Sequence, residues 1–278
     1  MRVKWFGTAG IMLEDGGTRL LFDPFPSLNA KTRRTPPEEK YRRTPPDDQF
    51  YQPPPDDLSS ATHIFVTHGH FDHIAGIPAI WKSGGGTARV YATKTPRETL
   101  IAKGVSRERI NIVRPGDVLT VGPFEIRALK GRHVRFDKRL IINTITRIRI
   151  IKHWKNLCYI FSESRVCKEA GEILVYDIRA SGKRILLMGS LNLDAATEYP
   201  KGADLLILPF QGRSDINAYA LRFIDRLKPK KALLDHFDDT FPPISSAVDT
   251  APFISLTKEK HPDIPVVCLS AGAGWMIV

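Results

Sequence analysis

Three histidines and an aspartate, His68, His70, Asp72 and His73, follow directly on the apolar run Ile64-Phe65-Val66. A short β-branched and aromatic run predicts a buried strand. The chain leaves the sheet at a strand end, and a loop there can turn several side chains toward one point. Imidazole nitrogens and a carboxylate gathered at one point suit a divalent ion, zinc first, with manganese or iron as alternatives. A single histidine is ordinarily a surface or core residue. Three of them with an aspartate, spaced His-x-His-x-Asp-His at a strand end, read as one or two metal sites.

The rest of the chain supplies the frame that such a loop needs. Val3 to Phe6 and Gly10 to Leu13 flank a Gly7-Thr8-Ala9 turn, and Gly16-Gly17 is a second turn before a strand closing at Asp23-Pro24. Further strands are predicted at Arg89–Ala92, Val118–Val121, Phe124–Leu129, Ile173–Ile178, Arg184–Met188, Leu205–Leu208, Ala232–Leu234 and Val266–Leu269. Helices are predicted near Ala75–Trp81, Pro96–Ala102, Ile216–Leu227 and Ala247–Glu259. Strands with interspersed helices over 278 residues predict an α/β chain with large sheets, read here as a single domain over 1–278.

Two segments break the rhythm. A Pro-rich insertion at about 26–57 contains a near-repeat, Arg-Arg-Thr-Pro-Pro followed by two acids, at Arg33–Glu39 and again at Arg42–Asp48. Pro-Pro favours extended or turn-rich backbone and cannot build core. The second is a cap insertion at about 134–170, where a basic, β-branched stretch from Leu140 to Ile151 precedes a helix-like stretch through Trp154, Leu157, Cys158 and Phe161. That stretch reads either as a helix packed on the body or as part of a substrate pocket.

The His-x-His-x-Asp-His segment resembles the signature of the metallo-β-lactamase superfamily, and the order of later elements is similar along nearly the whole chain. The resemblance implies a four-layer αββα sandwich. It implies that His68, His70 and His133 form one metal site, and that Asp72, His73 and His236 belong to a second, with Asp23 supporting both from behind. His133 follows the strand pair Val118 to Leu129, and His236 follows the strand Ala232–Leu234, where the family places its later ligands. One position departs: where the family carries a bridging aspartate this chain has Gly189-Ser190. A neutral hydroxyl is a poor ligand, so the second ion is expected to bind more weakly or not at all. Asp194 is the candidate substitute, its alternative role being the cap of a helix beginning there.

The activity implied is that of a hydrolase. Metal-bound water ionises near pH 7, and Asp72 would orient it or take its proton for attack on an ester, lactone or phosphoester. Within the superfamily the compact body looks most like the ascorbate 6-phosphate lactonase group. Alternatives are a phosphodiesterase acting on N-acyl phospholipids, a nuclease, a flavodiiron-type oxidoreductase, or a catalytically weak binding protein that keeps the metal. The net charge of +11 favours an anionic small molecule, with Arg132 and Arg135 as candidate contacts. Nucleic acid is disfavoured because no RNA-binding module accompanies the charge. The Leu140–Phe161 stretch keeps a membrane surface open as a lesser partner, and a homo-oligomer is compatible with the sequence. With no signal-peptide core and three scattered cysteines, Cys158, Cys167 and Cys268, the expected setting is the cytoplasm with reduced thiols.

Overall fold

The computed structural model describes residues 1–25, 28, 56–137 and 149–278. Its strands form two seven-stranded sheets. The first runs in the order β14 (Met276–Ile277), β1 (Arg2–Trp5), β2 (Ile11–Asp15), β3 (Thr18–Phe22), β4 (His63–Phe65), β5 (Arg89–Ala92) and β6 (Ile110–Ile112). The second runs β13 (Val266–Cys268), β12 (Ala232–Asp235), β11 (Leu205–Pro209), β10 (Lys183–Met188), β9 (Leu174–Ala180), β8 (Phe124–Lys130) and β7 (Val118–Val121). The tight β2–β3 hairpin is set by Gly16 and Gly17, both at positive φ (52° and 78°) between the paired Asp15 and Thr18. A two-residue turn of that hand matches the twist of the strands it joins.

Alternation along the strands separates three apolar layers. Phe22, Phe65, Phe124 and Tyr176 meet between the sheets, with the Tyr176 ring edge-on to both Phe22 and Phe65 at 5.5 and 5.6 Å. The Tyr176 hydroxyl donates to the Val66 carbonyl at 2.8 Å, tying the second sheet to the first. Leu21, Ile64 and Val90 point the other way, under α1 (Asp56–Ser59), α2 (Phe71–Ile74), α3 (Ile77–Ser83), α4 (Lys94–Ala102) and α6 (Trp154–Val166), the last preceded by the short α5 (Arg149–Lys152). On the far side Val175, Leu186, Leu206 and Leu234 pack under α7 (Ile216–Leu227) and α8 (Ala251–Lys260). In α7 the buried residues Ile216, Ala220, Phe223, Ile224 and Leu227 form one stripe, and the helix ends on Lys228 in the left-handed region before Pro229. The four-layer αββα sandwich implied by the resemblance is the architecture observed.

Local differences from expectation have local causes. Strands β6 and β14 were not anticipated: each is three residues or fewer, too short to show alternation. The helix expected from Ala75 begins only at Ile77, where Pro78 sits in the first turn after Gly76, and the short α2 before it ends at Ile74. The helix expected from Ala247 begins only at Ala251, with Pro252 in its first turn. The helix-like stretch of the expected cap is α6, but it packs through Ile160, with Tyr159 half-buried beside it, while Trp154 and Phe161 are 57% and 59% exposed. The Pro-rich repeat up to residue 55 and the basic stretch up to residue 148 lie outside the described residues. Among the described residues no helix is long and apolar enough to cross a membrane.

The topology brings one edge of each sheet together. Strands β3 to β6 run parallel, so Asp23, Thr67 and Thr93 all leave from the same end of the first sheet. In the second sheet β10, β11 and β12 are parallel, and β8 shares their direction because both β8 and β10 oppose β9. His133, Ser190 and His236 therefore leave from the corresponding ends, and ligand sites in such sheets gather outside strand carboxyl ends.

Candidate metal centre

The buried carboxylate of Asp23 organises the first-sheet side of this edge. It accepts the Thr67 backbone N–H at 2.8 Å, the Thr67 hydroxyl, and His73 Nδ1–H at 2.8 Å. Because the Thr67 hydroxyl donates to Asp23, its oxygen is left to accept from His68 Nδ1–H, 3.0 Å away. One carboxylate thus sets the tautomer of two imidazoles, directly for His73 and through a hydroxyl for His68. Both Nε2 lone pairs are left facing forward. This is the arrangement by which outer carboxylates orient histidine ligands. On the second-sheet side His133 Nδ1–H donates to the Val134 carbonyl at 2.8 Å, which again frees Nε2.

The donors converge in two groups. One atom each from His68, His70 and His133 lie within 4.8 Å of one another, and so do one each from Asp72, His73 and His236. The groups adjoin: the His68 and His73 rings, one from each group, are 3.9 Å apart between centroids. His68 Nε2 is buried with no hydrogen-bond partner among the described residues. A buried polar atom of that kind is rare unless something completes it. Three neutral nitrogens in one group, and two imidazoles with a carboxylate in the other, match the donor chemistry of a divalent ion.

Electrostatics separates the groups. Burial, reinforced by the neighbouring imidazoles, holds His68 well below the usual histidine range. Burial brings His70 down to about 4, although Asp72 opposes this. Both are neutral at pH 7, ready to donate lone pairs. For Asp72 burial favours the neutral acid, but the facing His73 and His236 outweigh it and hold the carboxyl well below the carboxylate range. His236 is the reverse case. Burial disfavours its charge, yet its contact with Asp72 at 3.2 Å, together with Asp235 and Asp238, pushes it up to about 9. Without a metal, Asp72 and His236 are an ion pair.

His236 sits at φ 59°, unusual for a residue with a side chain, and its N–H donates to the Thr8 carbonyl at 2.8 Å. Thr8 is also left-handed, at φ 47°, and its N–H is held by both oxygens of Asp238 at 3.1 Å. The first turn of the chain therefore holds the last donor in place. Asp23 is left-handed as well, at φ 41°, and positive φ at three non-glycine residues in one site is backbone strain of the kind that collects at functional positions.

Each residue singled out in the sequence has a definite place. His68, His70, Asp72, His73, His133 and His236 all fall in the two groups. Ser190 is buried where the sheets meet, and its hydroxyl accepts the Val134 N–H at 3.0 Å. It anchors the loop that carries His133. Asp194 lies in neither group and starts no helix. Its carboxylate takes the Ala196 N–H at 3.1 Å and the Thr197 hydroxyl at 3.2 Å within a turn, and faces Arg132 at 3.3 Å and Lys130 at 3.6 Å. Arg132 is thereby neutralised in part, and Arg135 is exposed. The Thr67 relay, the Asp238 hold on Thr8, and Asp235, pushed by burial to about 7, were not legible in the sequence. Only their adjacency to the histidines hinted at them.

Two glycines permit this packing. A Cβ on Gly69 would sit 2.1 Å from the Lys168 carbonyl oxygen, and one on Gly189 would sit 2.4 Å from Thr67 Cβ. Both distances are impossible without displacing backbone or the relay residue.

Comparison with known proteins gives the family and the fold. A family model described as the beta-lactamase superfamily domain matches residues 18–237. A UPF0173 metal-dependent hydrolase of Rhizobium etli is 31% identical over 133 residues, 48% of each chain, so the match spans about half the length of that relative. Another, of Methanopyrus kandleri, is 24% identical over 276 residues and 99% of each chain. Among solved structures, the metallo hydrolase Igni18 of Ignicoccus hospitalis superposes with a TM-score of 0.59 at 16% identity, covering 100% of this chain and 98% of its own.

Proposed function

From a chain that belongs to the beta-lactamase superfamily and gathers six donors at one sheet edge, we propose a metal-dependent hydrolase acting on an ester, lactone or phosphoester of an anionic small molecule. The observation that carries the reading is the pair of adjoining three-donor groups, His68/His70/His133 and Asp72/His73/His236. These residues would hold a divalent ion, zinc by donor chemistry, which would supply a water ionising near pH 7 and polarise the bond to be cleaved. The rest belongs to the chain's own residues. Asp72, ionised at neutral pH, would orient the attacking water or accept its proton. Asp23 and Thr67 hold two imidazoles in one tautomer, so no reorganisation is needed as charge develops. His70 and His133 are the partly exposed members of their group, which puts the open side there. The net charge of +11 supports an anionic substrate, and the compact body supports a lactonase-like ester among the alternatives.

The test is a panel of ester, lactone and phosphodiester substrates with metal analysis on the same samples. We expect activity that follows metal content. Asp72→Asn should lower kcat about a hundredfold or more, the scale of removing a general base. His68→Ala should lose both metal and activity. Activity that survives complete metal removal, or that is indifferent to His68→Ala, would sink the proposal.

A further inference from the structure

The sheet edge that carries the metal centre continues past β4 into a second concavity of about 340 Å³, where β5, β6 and β8 end. None of its lining residues is one of the six donors. Three cations line it: Lys94 at the start of α4, Arg114 just beyond β6, and Lys130 at the end of β8. Glu172 is the one acid among the lining residues, and its carboxylate is already engaged, accepting the Thr95 N–H at 2.9 Å in the first turn of α4. Lys94 and Arg114 make no side-chain hydrogen bond or ion pair among the described residues, while Lys130 lies 3.6 Å from Asp194.

Like charges on three exposed side chains at one concavity repel, a repulsion that solvent screens in part. An external anion would relieve it. The amino end of the nine-residue α4 lies at the same place, with its Thr95 N–H already taken by Glu172. Thr93, which precedes that helix and lines the cleft, has a buried hydroxyl with no hydrogen-bond partner among the described residues. The remaining wall is apolar, from Ile112, Pro115 and Ile173. Charge at one end and hydrocarbon at the other fit a ligand built the same way.

We propose that this cleft is a binding site for a small molecule with a phosphoryl-type dianionic head on an apolar body. The head would lie among Lys94, Arg114 and Lys130, and the body against the apolar wall. The site is separate from the metal centre and does not depend on the hydrolase reading.

The experiment is calorimetric titration of the full chain with phenylphosphonate, which has no ester bond to hydrolyse, and with inorganic phosphate, before and after chelation of metal. Phenylphosphonate is expected to bind at one site per chain whether or not metal is present, about tenfold more tightly than phosphate through burial of its ring. Its affinity should fall with added salt. The double substitution Lys94→Gln and Arg114→Gln should weaken it at least about tenfold, as two charge-assisted contacts are lost. Unchanged metal content in that variant shows that it is folded. No binding up to about 10 mM, equal affinity in the double variant, or binding only when metal is present would each overturn the site. Equal affinity for the two ligands would overturn the role of the apolar wall.

Discussion

His236 carries a proton that a metal must displace. Its pKa of about 9 comes from Asp72, helped by Asp235 and Asp238, against the cost of burial. Neutral imidazole is the ligand, so an ion entering the Asp72/His73/His236 group at pH 7.5 expels one proton. Its apparent affinity should rise about tenfold per pH unit until pH 9. The other group differs, since His68 and His70 are already neutral there. Titrating metal-free protein in buffers of different ionisation enthalpy should therefore show one proton released with the weaker ion and almost none with the tighter. Equal release at both steps would refute this assignment. The same contact affects the metal-free fold. A histidine with a raised folded pKa contributes stability that is whole below pH 6.5 and fades as pH rises through about 9. Ser190 adds to the asymmetry, because a neutral hydroxyl already holding the Val134 N–H offers no charge to a second ion.

At the scale of elements, the ligand loop works because it is clamped between two others. The Lys168 carbonyl presses on Gly69, between two of the donors, and Gly189 leaves room for Thr67. Gly69→Ala should push the loop and the 167–173 segment apart. Metal affinity should fall at least tenfold, and stability by about 1–3 kcal/mol, the scale of overpacking in a tight site. Metal titration and denaturant unfolding of the variant measure both, and wild-type values for either would contradict the contact. Much of this level was legible beforehand. The strand Arg89–Ala92, the strand Val118–Val121 and the helix Ile216–Leu227 were read with the bounds they have, because each carries its own periodicity and stop signal. Trp154 and Phe161 misled, since helical spacing of apolar residues says that a face exists, not that anything covers it.

For the whole molecule, the metal groups draw on both sheets: His68, His70, Asp72 and His73 come from the first, and His133 and His236 from the second. An ion held by these donors would link the two halves of the sandwich and would stabilise the folded chain by mass action, about 4 kcal/mol at a thousandfold excess over Kd. For a chain of this size chelation should lower the Tm by roughly 5–15 °C, read by calorimetry with and without chelator. His68→Ala should already have the lower value and should not respond to chelation. A wild-type Tm indifferent to chelation would mean that no ion bridges the sheets.

What the sequence determined by itself is whatever lies close along the chain: the His68–His73 cluster, the strand that delivers it, the Gly16-Gly17 hairpin and the order of α and β elements. Local sterics, periodicity and residue chemistry act over a few residues, so one segment suffices to read them. The rest needed two sheets to meet. Asp23 reaches Thr67 and His73 because β3 and β4 pair in parallel, and Asp238 holds Thr8 across the length of the chain. The three cations of the second cleft come from three strand ends far apart in sequence. Contacts of that kind follow from register and packing between sheets, and so only the tertiary structure decided them.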